Sequence, residues 1–140
     1  MSYRVLVVDD VPEVAQMLEA ALTPAGYTVQ TLTDATAAVA TVAAWRPDLL
    51  LLDVMLGGLN ALQVLQALHE AGYRPPVILM SAYIAGGEAA AQFVASLAEW
   101  GPVTLCPKPF DLARLTATVA RVLAGAALKA EPSELERRQR

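Results

Sequence analysis

The sequence predicts a doubly wound α/β domain built on a five-stranded parallel sheet, and three observations predict it. Strand-length apolar runs recur five times along the chain, segments with helical spacing lie between them, and two of the runs are apolar at every position. The last feature is what a parallel strand buried on both faces requires, because it has no solvent side on which to place a polar residue. Strict alternation of strand and helix implies right-handed crossovers and helices on both sides of the sheet.

In order, the strands are expected at Arg4-Val5-Leu6-Val7-Val8, Tyr27-Thr28-Val29-Gln30-Thr31-Leu32, Leu49-Leu50-Leu51-Leu52, Pro76-Val77-Ile78-Leu79-Met80 and Pro102-Val103-Thr104-Leu105. Val5 to Val8 and Leu49 to Leu52 are the all-apolar pair and should be central. Val11, Val14, Leu18 and Leu22 have the spacing of a first helix, with Pro12 suited to its first turn and Pro24 and Gly26 stopping it. The second helix is expected at about Ala35 to Trp45, before Pro47. Leu59, Leu62, Leu65 and Leu68 line a third, closed by Gly72 and Pro75. A fourth, alanine-rich helix is expected at about Glu88 to Trp100. Leu112, Leu115, Val119 and Val122 line a fifth, which Asp111 can cap.

The chain has 140 residues, so a single domain is expected. Its mean hydropathy of +0.44 invites a membrane reading. That reading fails, because the longest charge-free apolar stretch, Val54 to Leu68, holds Gly57, Gly58, Asn60, Gln63 and Gln66 and falls short of the roughly 20 apolar residues of a spanning helix. The N-terminus has no basic region, apolar region and cleavage site in series, and the one cysteine, Cys106, can form neither an internal disulfide nor a zinc framework. A cytoplasmic location is expected, with no membrane partner. Residues 1–124 carry 6 basic and 11 acidic groups and residues 125–140 carry 4 and 3, for a total of −4. Neither part has the basic stripe of a nucleic-acid binder, so no direct nucleic-acid partner is expected.

Ligands of doubly wound sheets bind outside the carboxyl ends of the strands, and there this sequence places its polar groups. Asp9 and Asp10 follow the first strand, Asp53 the third, Ser81 the fourth, and Lys108 lies just after the fifth. Each has a plain structural alternative: the acidic pair could cap a helix, Asp53 could end a strand, Ser81 could begin a helix, and Lys108 could be a solvated cation. Jointly they read as a site. If the first and third strands are neighbours, three carboxylates converge, which calls for a cation, and an all-oxygen ligand set favours Mg²⁺.

At these motifs the chain resembles the receiver domains of two-component response regulators. Val7-Val8-Asp9-Asp10, Leu51-Leu52-Asp53-Val54-Met55, Met80-Ser81-Ala82 and Pro107-Lys108-Pro109-Phe110-Asp111 carry the resemblance, which covers about Arg4 to Ala124. It implies a flavodoxin-like fold with strand order 2-1-3-4-5 and a stand-alone receiver of residues 1–124 followed by a tail, 125–140, that is disordered or a short helix. It also implies that Asp53 accepts a phosphoryl group from a sensor histidine kinase or phosphotransfer protein. Asp9, Asp10, Asp53 and the backbone carbonyl of Met55 match the Mg²⁺ ligands, Ser81 and Lys108 match the groups that meet the phosphoryl oxygens, and the Lys108–Pro109 peptide is expected to be cis. The domain would be a signalling module that catalyses only its own phosphotransfer and dephosphorylation, acting on an unknown output protein as a monomer or weak homodimer.

The sequence departs from the family in three places. Leu105 stands where receivers usually carry an aromatic ring, three positions before the lysine. The loop after Asp53 reads Leu56-Gly57-Gly58-Leu59-Asn60-Ala61, where a proline and a later Asp-Gly pair are usual. The segment from Ser81 to Lys108 is longer than in a typical receiver and includes Gly86 and Gly87. Leu105 and the altered loop define one rival reading, a pseudo-receiver that binds partners without being phosphorylated. A Mg²⁺-dependent phosphatase with an aspartyl nucleophile is a second rival. Such enzymes commonly carry another aspartate two residues after the first, and here Met55 stands in that place. Of the remaining residues, His69 and Trp100 are expected at the surface and in packing respectively, and Ser133 with Glu136 has the spacing of a capping box.

Overall fold

Two strands that are apolar at every position can be satisfied only between two helical layers, and the computed structural model, which describes residues 2–53, 55–56, 59–81, 103–107 and 111–129, shows that arrangement. β1 (Arg4–Val8) and β3 (Leu49–Asp53) are central in a five-stranded parallel sheet that continues with β2 (Thr28–Leu32), β6 (Val77–Ser81) and β7 (Val103–Pro107). The order is β2-β1-β3-β6-β7, which is 2-1-3-4-5 when the strands of this sheet are numbered among themselves. A separate antiparallel pair, β4 (Met55–Leu56) and β5 (Leu59–Asn60), follows β3.

The pleat sends alternate residues to opposite layers. Leu6, Val8, Leu50, Leu52, Val77 and Leu79 pack under α2 (Ala38–Trp45) and α3 (Ala61–Glu70), joined by Val42, Val64, Leu65 and Leu68. Val5, Val7, Leu49, Leu51, Ile78 and Met80 pack on the other side under α1 (Pro12–Leu22) and the C-terminal helix (Leu112–Lys129), with Leu18, Leu22, Leu115, Val119 and Leu123. β2 lies at the edge and has no fully buried residue, which accounts for its mixed Thr-Val-Gln-Thr-Leu sequence.

Caps and stops follow the local chemistry. Pro12 opens α1, where its missing N–H costs nothing. Asp111 Oδ1 accepts from the N–H groups of Ala113 (3.0 Å) and Arg114 (3.3 Å), capping the C-terminal helix as expected. α2 ends at Arg46 in the left-handed conformation (φ 54°), with the guanidinium 5.0 Å from the Tyr73 ring centroid. The amino end of the sheet is fastened by Arg4, whose N–H donates to Asp48 Oδ2 (2.8 Å) and whose Nη1 donates to the Trp45 carbonyl (2.6 Å).

Three features differ from the sequence expectation. The second helix opens as a 3₁₀ turn (Ala35–Ala37) before becoming α-helical at Ala38. Asp34 accepts from the Thr36 N–H and hydroxyl there, and these bonds hold its carboxyl below its ordinary pKa. Leu59 belongs to a short strand rather than to the third helix, which begins at Ala61. The C-terminal helix runs to Lys129, past position 124, because Gly125, at a cost of about 1 kcal/mol, is followed by the strong helix formers Ala126, Ala127 and Leu128. His69 is half-buried, with Nε2 3.0 Å from Arg74 Nη2. The expected fourth helix with Trp100, the Gly86-Gly87 segment and the Ser133–Glu136 capping box lie outside the described residues. No helix among the described residues is long and apolar enough to cross a membrane.

Two measurements check this packing. Leu51→Ala removes a fully buried side chain between β3 and the α1 layer and should lower unfolding free energy by about 2–5 kcal/mol, read from the urea midpoint at unchanged slope. Burial pushes the Cys106 thiol above its ordinary pKa, with Arg114 opposing. The folded protein therefore holds the thiol proton to higher pH than the unfolded chain. Above roughly pH 8.5 the unfolded chain loses this proton first, so this contribution to stability falls as pH rises. At that pH a disulfide reagent should react with Cys106 more slowly in the native protein than in urea.

Candidate functional site

The direction of the chain reverses between β1 and β3. From β1 it crosses outward to β2, then returns past β1 to β3, and the crevice of a doubly wound sheet opens above that reversal. Because Val8 is in register with Leu52, the residues that follow them, Asp9 just beyond β1 and Asp53 at the last position of β3, stand side by side at the carboxyl edge of the sheet. Carboxylate oxygens of Asp9, Asp10 and Asp53 all lie within 4.8 Å of one another. Asp9 is fully buried, Asp53 is 7% exposed, and Asp10 faces solvent.

Asp9 is held from two sides. Its N–H donates to the Leu32 carbonyl at the end of β2 (3.0 Å), and its Oδ1 accepts from the Val11 N–H at the start of α1 (2.9 Å). The sequence left two readings of Asp9 open, helix cap or site residue; the structure shows its Oδ1 on the Val11 N–H and its carboxylate among the three clustered acids. The carboxylate satisfies an orphan donor at the helix entrance while standing in the acidic cluster. Asp10, one residue later, makes the cluster accessible to water.

Three carboxylates so placed repel one another by roughly 3 kcal/mol per ionised pair at an effective dielectric constant of about 20. A divalent cation removes that repulsion. The donor set fits a hard cation: it offers only carboxylate oxygens, two of them on rigid strand ends and one reaching solvent, so that coordinated water can complete the shell of Mg²⁺.

The other expected site residues fall at the same edge to the extent that they are described. Met55 lies two residues beyond Asp53 in β4, paired with Asn60. Ser81 is the last residue of β6, one step beyond Met80, which is in register with Asp53. Ser81 is in turn in register with Pro107, the last residue of β7. Lys108 and Pro109, with the expected cis peptide, lie outside the described residues. Leu105 is in register with Leu79 in β7.

The sequence reading missed the β4–β5 pair and the double hold on Asp9. The first had a signal: Met55-Leu56-Gly57-Gly58-Leu59-Asn60 places two glycines between short apolar runs, a hairpin pattern. The second had none, since the Leu32 carbonyl meets Asp9 only through the pairing of β1 with β2.

Comparison with known proteins agrees with this geometry. Residues 5–120 match the response regulator receiver domain. The response regulator MprA of Mycobacterium ulcerans is 37% identical over 123 residues, covering 88% of this chain and 51% of that protein. The nitrogen assimilation regulatory protein NtrX of Azorhizobium caulinodans is 30% identical over 138 residues, covering 97% of this chain and 29% of that protein. Among solved structures, NtrX from Brucella abortus superposes with a TM-score of 0.81 at 28% identity, over 96% of this chain and 30% of that one. The chemotaxis response regulator CheY4 of Vibrio cholerae superposes at 0.75 and 26% identity, over 87% of this chain and 99% of that one. The chain belongs to the response regulator receiver family and is a signalling domain of the two-component type. It spans about half the length of MprA and less than a third of NtrX.

Asp10→Asn should weaken Mg²⁺ binding at least about tenfold, or about 1.4 kcal/mol, measured by titration calorimetry. Unchanged affinity would remove Asp10 from the ligand set.

Proposed function

We propose that this receiver accepts a phosphoryl group on Asp53, with Mg²⁺ held by Asp9, Asp10, Asp53 and the backbone carbonyl of Met55, and passes the signal on by binding another protein. The observation that carries the reading is the cluster itself. A nearly buried carboxylate at the end of a central strand is brought within 4.8 Å of two further carboxylates, at the crevice where such folds bind ligands.

The donor is a phosphohistidine of a sensor kinase or phosphotransfer protein. A carboxylate oxygen of Asp53 attacks phosphorus, a phosphorus–oxygen bond forms as the phosphorus–nitrogen bond breaks, and the departing imidazole keeps the bond's electrons and takes a proton from solvent. Phosphoryl transfer asks little covalent chemistry of the protein beyond positioning and charge neutralisation. Mg²⁺, when bound, supplies the neutralisation of charge spread over the phosphoryl oxygens. The chain's own part is to present Asp53 at the end of a buried strand paired on both sides, to hold Asp9 by the Val11 N–H, and to leave Asp10 open to water. Ser81 and Lys108 are the groups proposed to meet the new phosphoryl oxygens, the hydroxyl by hydrogen bonding and the ammonium by charge.

Leu105 favours one modification of this scheme. A leucine has no aromatic ring to swing inward beside an engaged hydroxyl, so the response to phosphorylation is proposed to be carried by backbone rather than by a ring at that position. A cytoplasmic setting is proposed with the kinase partner.

Incubation with acetyl phosphate and Mg²⁺ should add one phosphoryl group, about 80 Da, to the intact mass, and Asp53→Asn should abolish the addition. Undiminished labelling of Asp53→Asn would move the acceptor elsewhere. No labelling of the parent protein by acetyl phosphate or by a phosphorylated kinase would favour the pseudo-receiver.

A further inference from the structure

Among the described residues, β2 lies at the end of the sheet order with β1 as its one neighbour. Most exposed edge strands carry a charge, a proline or a bulge that discourages pairing with another chain. β2 carries none of these: it reads Thr-Val-Gln-Thr-Leu, and residues 20–33 contain no Asp, Glu, Lys or Arg.

The register shows which backbone groups the edge offers. The Thr28 N–H donates to the Tyr3 carbonyl and the Leu32 carbonyl accepts from the Asp9 N–H, so both residues turn their backbone toward β1. Alternation along a strand then places Gln30 with them and turns the N–H and C=O of Val29 and Thr31 outward. Two outward residues separated by one inward residue form a self-complementary set. If a second copy approaches antiparallel about a two-fold axis at Gln30, Val29 faces Thr31 of the partner subunit and Thr31 faces Val29 of the partner subunit. Each such pair can exchange both N–H···O bonds.

The flanks leave room for this approach. The Gln30 side chain is exposed and borders an open cleft of about 380 Å³ whose other walls are Ala37, Ala40, Thr41, Ala44 and Trp45 of the α2 region. On the opposite side Val29 packs against the α1 layer and presents no charge.

We propose that β2 is a self-association edge, through which two copies of this chain pair antiparallel and join their sheets into one of ten strands. The two-fold axis makes the contact isologous, so it closes at a dimer. The short edge places the interface at the small end of the usual range, which makes the dimer concentration-dependent. The inference does not depend on phosphorylation of Asp53, and its test leaves that site untouched.

The test is sedimentation of the full chain from about 10 μM to about 1 mM, spanning weak affinities. The weight-average mass should rise from one protomer toward two. Gln30→Lys sets two like charges across the axis and should raise the concentration needed at least tenfold, and Gln30→Glu should do the same. An equimolar mixture of the two should recover association, a rescue that mere loss of fold would not give. Thr31→Pro, which removes an outward N–H and no bond to β1, should also weaken the dimer with its circular dichroism unchanged. The proposal is overturned if the parent stays monomeric over the whole range, or if folded Gln30→Lys and Thr31→Pro dimerise at the parent's concentration. Slow exchange of the Val29 and Thr31 amides in a monomer would also overturn it, by showing that another part of the same chain covers the edge.

Discussion

The parallel pairing of β1 with β3 is the constraint on which the rest of the structure depends. Val5 to Val8 and Leu49 to Leu52 have no polar position between them and are wholly buried. Burial of one such side chain is worth about 1.5–3 kcal/mol, so these strands are stable only with a helical layer on each face. The same register that packs Val8 beside Leu52 sets Asp9 and Asp53 side by side at the carboxyl edge of the sheet. Core and site are thus two ends of one pairing: apolar residues hold the strands in place, and the first polar residue after each strand inherits that fixed position.

This coupling explains why a costly arrangement of charge persists. One oxygen of each of the three carboxylates lies within 4.8 Å of the others, and the backbones that carry two of them are tied: Asp53 ends a strand paired on both sides, and Asp9 is bonded to both Leu32 and Val11. The fold holds the acids together at the carboxyl edge of the sheet, a set of carboxylate oxygens that suits a hard divalent cation. Exposure is graded from buried Asp9 through Asp53 to solvent-facing Asp10, so water reaches the cluster from the Asp10 side.

Most of the fold was legible in the sequence because its signals are local. All-apolar runs mark strands covered on both faces, Asp111 before Leu112 marks a helix start, and aspartates at the ends of two apolar runs mark the edge where the carboxylates cluster. What was not legible depends on pairing or on competition between local preferences. Nothing near Asp9 in the sequence names Leu32 as its hydrogen-bond partner. Leu59 fits the apolar spacing of Leu62, Leu65 and Leu68 but is taken by its pairing with Leu56. A tail is expected from residue 125, yet the helix continues through Gly125 and the alanines after it to Lys129. The strand order 2-1-3-4-5 came from the resemblance to receivers, since alternation alone allows other orders.

Asp53, in this acidic crevice, is proposed as a phosphate acceptor dependent on a divalent cation. The most direct measurement follows the intact mass of the parent protein after adding acetyl phosphate, once with Mg²⁺ and once with a chelator. The account predicts the gain of a single phosphoryl group with Mg²⁺ only, reversed by hydroxylamine as an acyl phosphate requires. Equal labelling in the chelator, or a label that survives hydroxylamine, would contradict it.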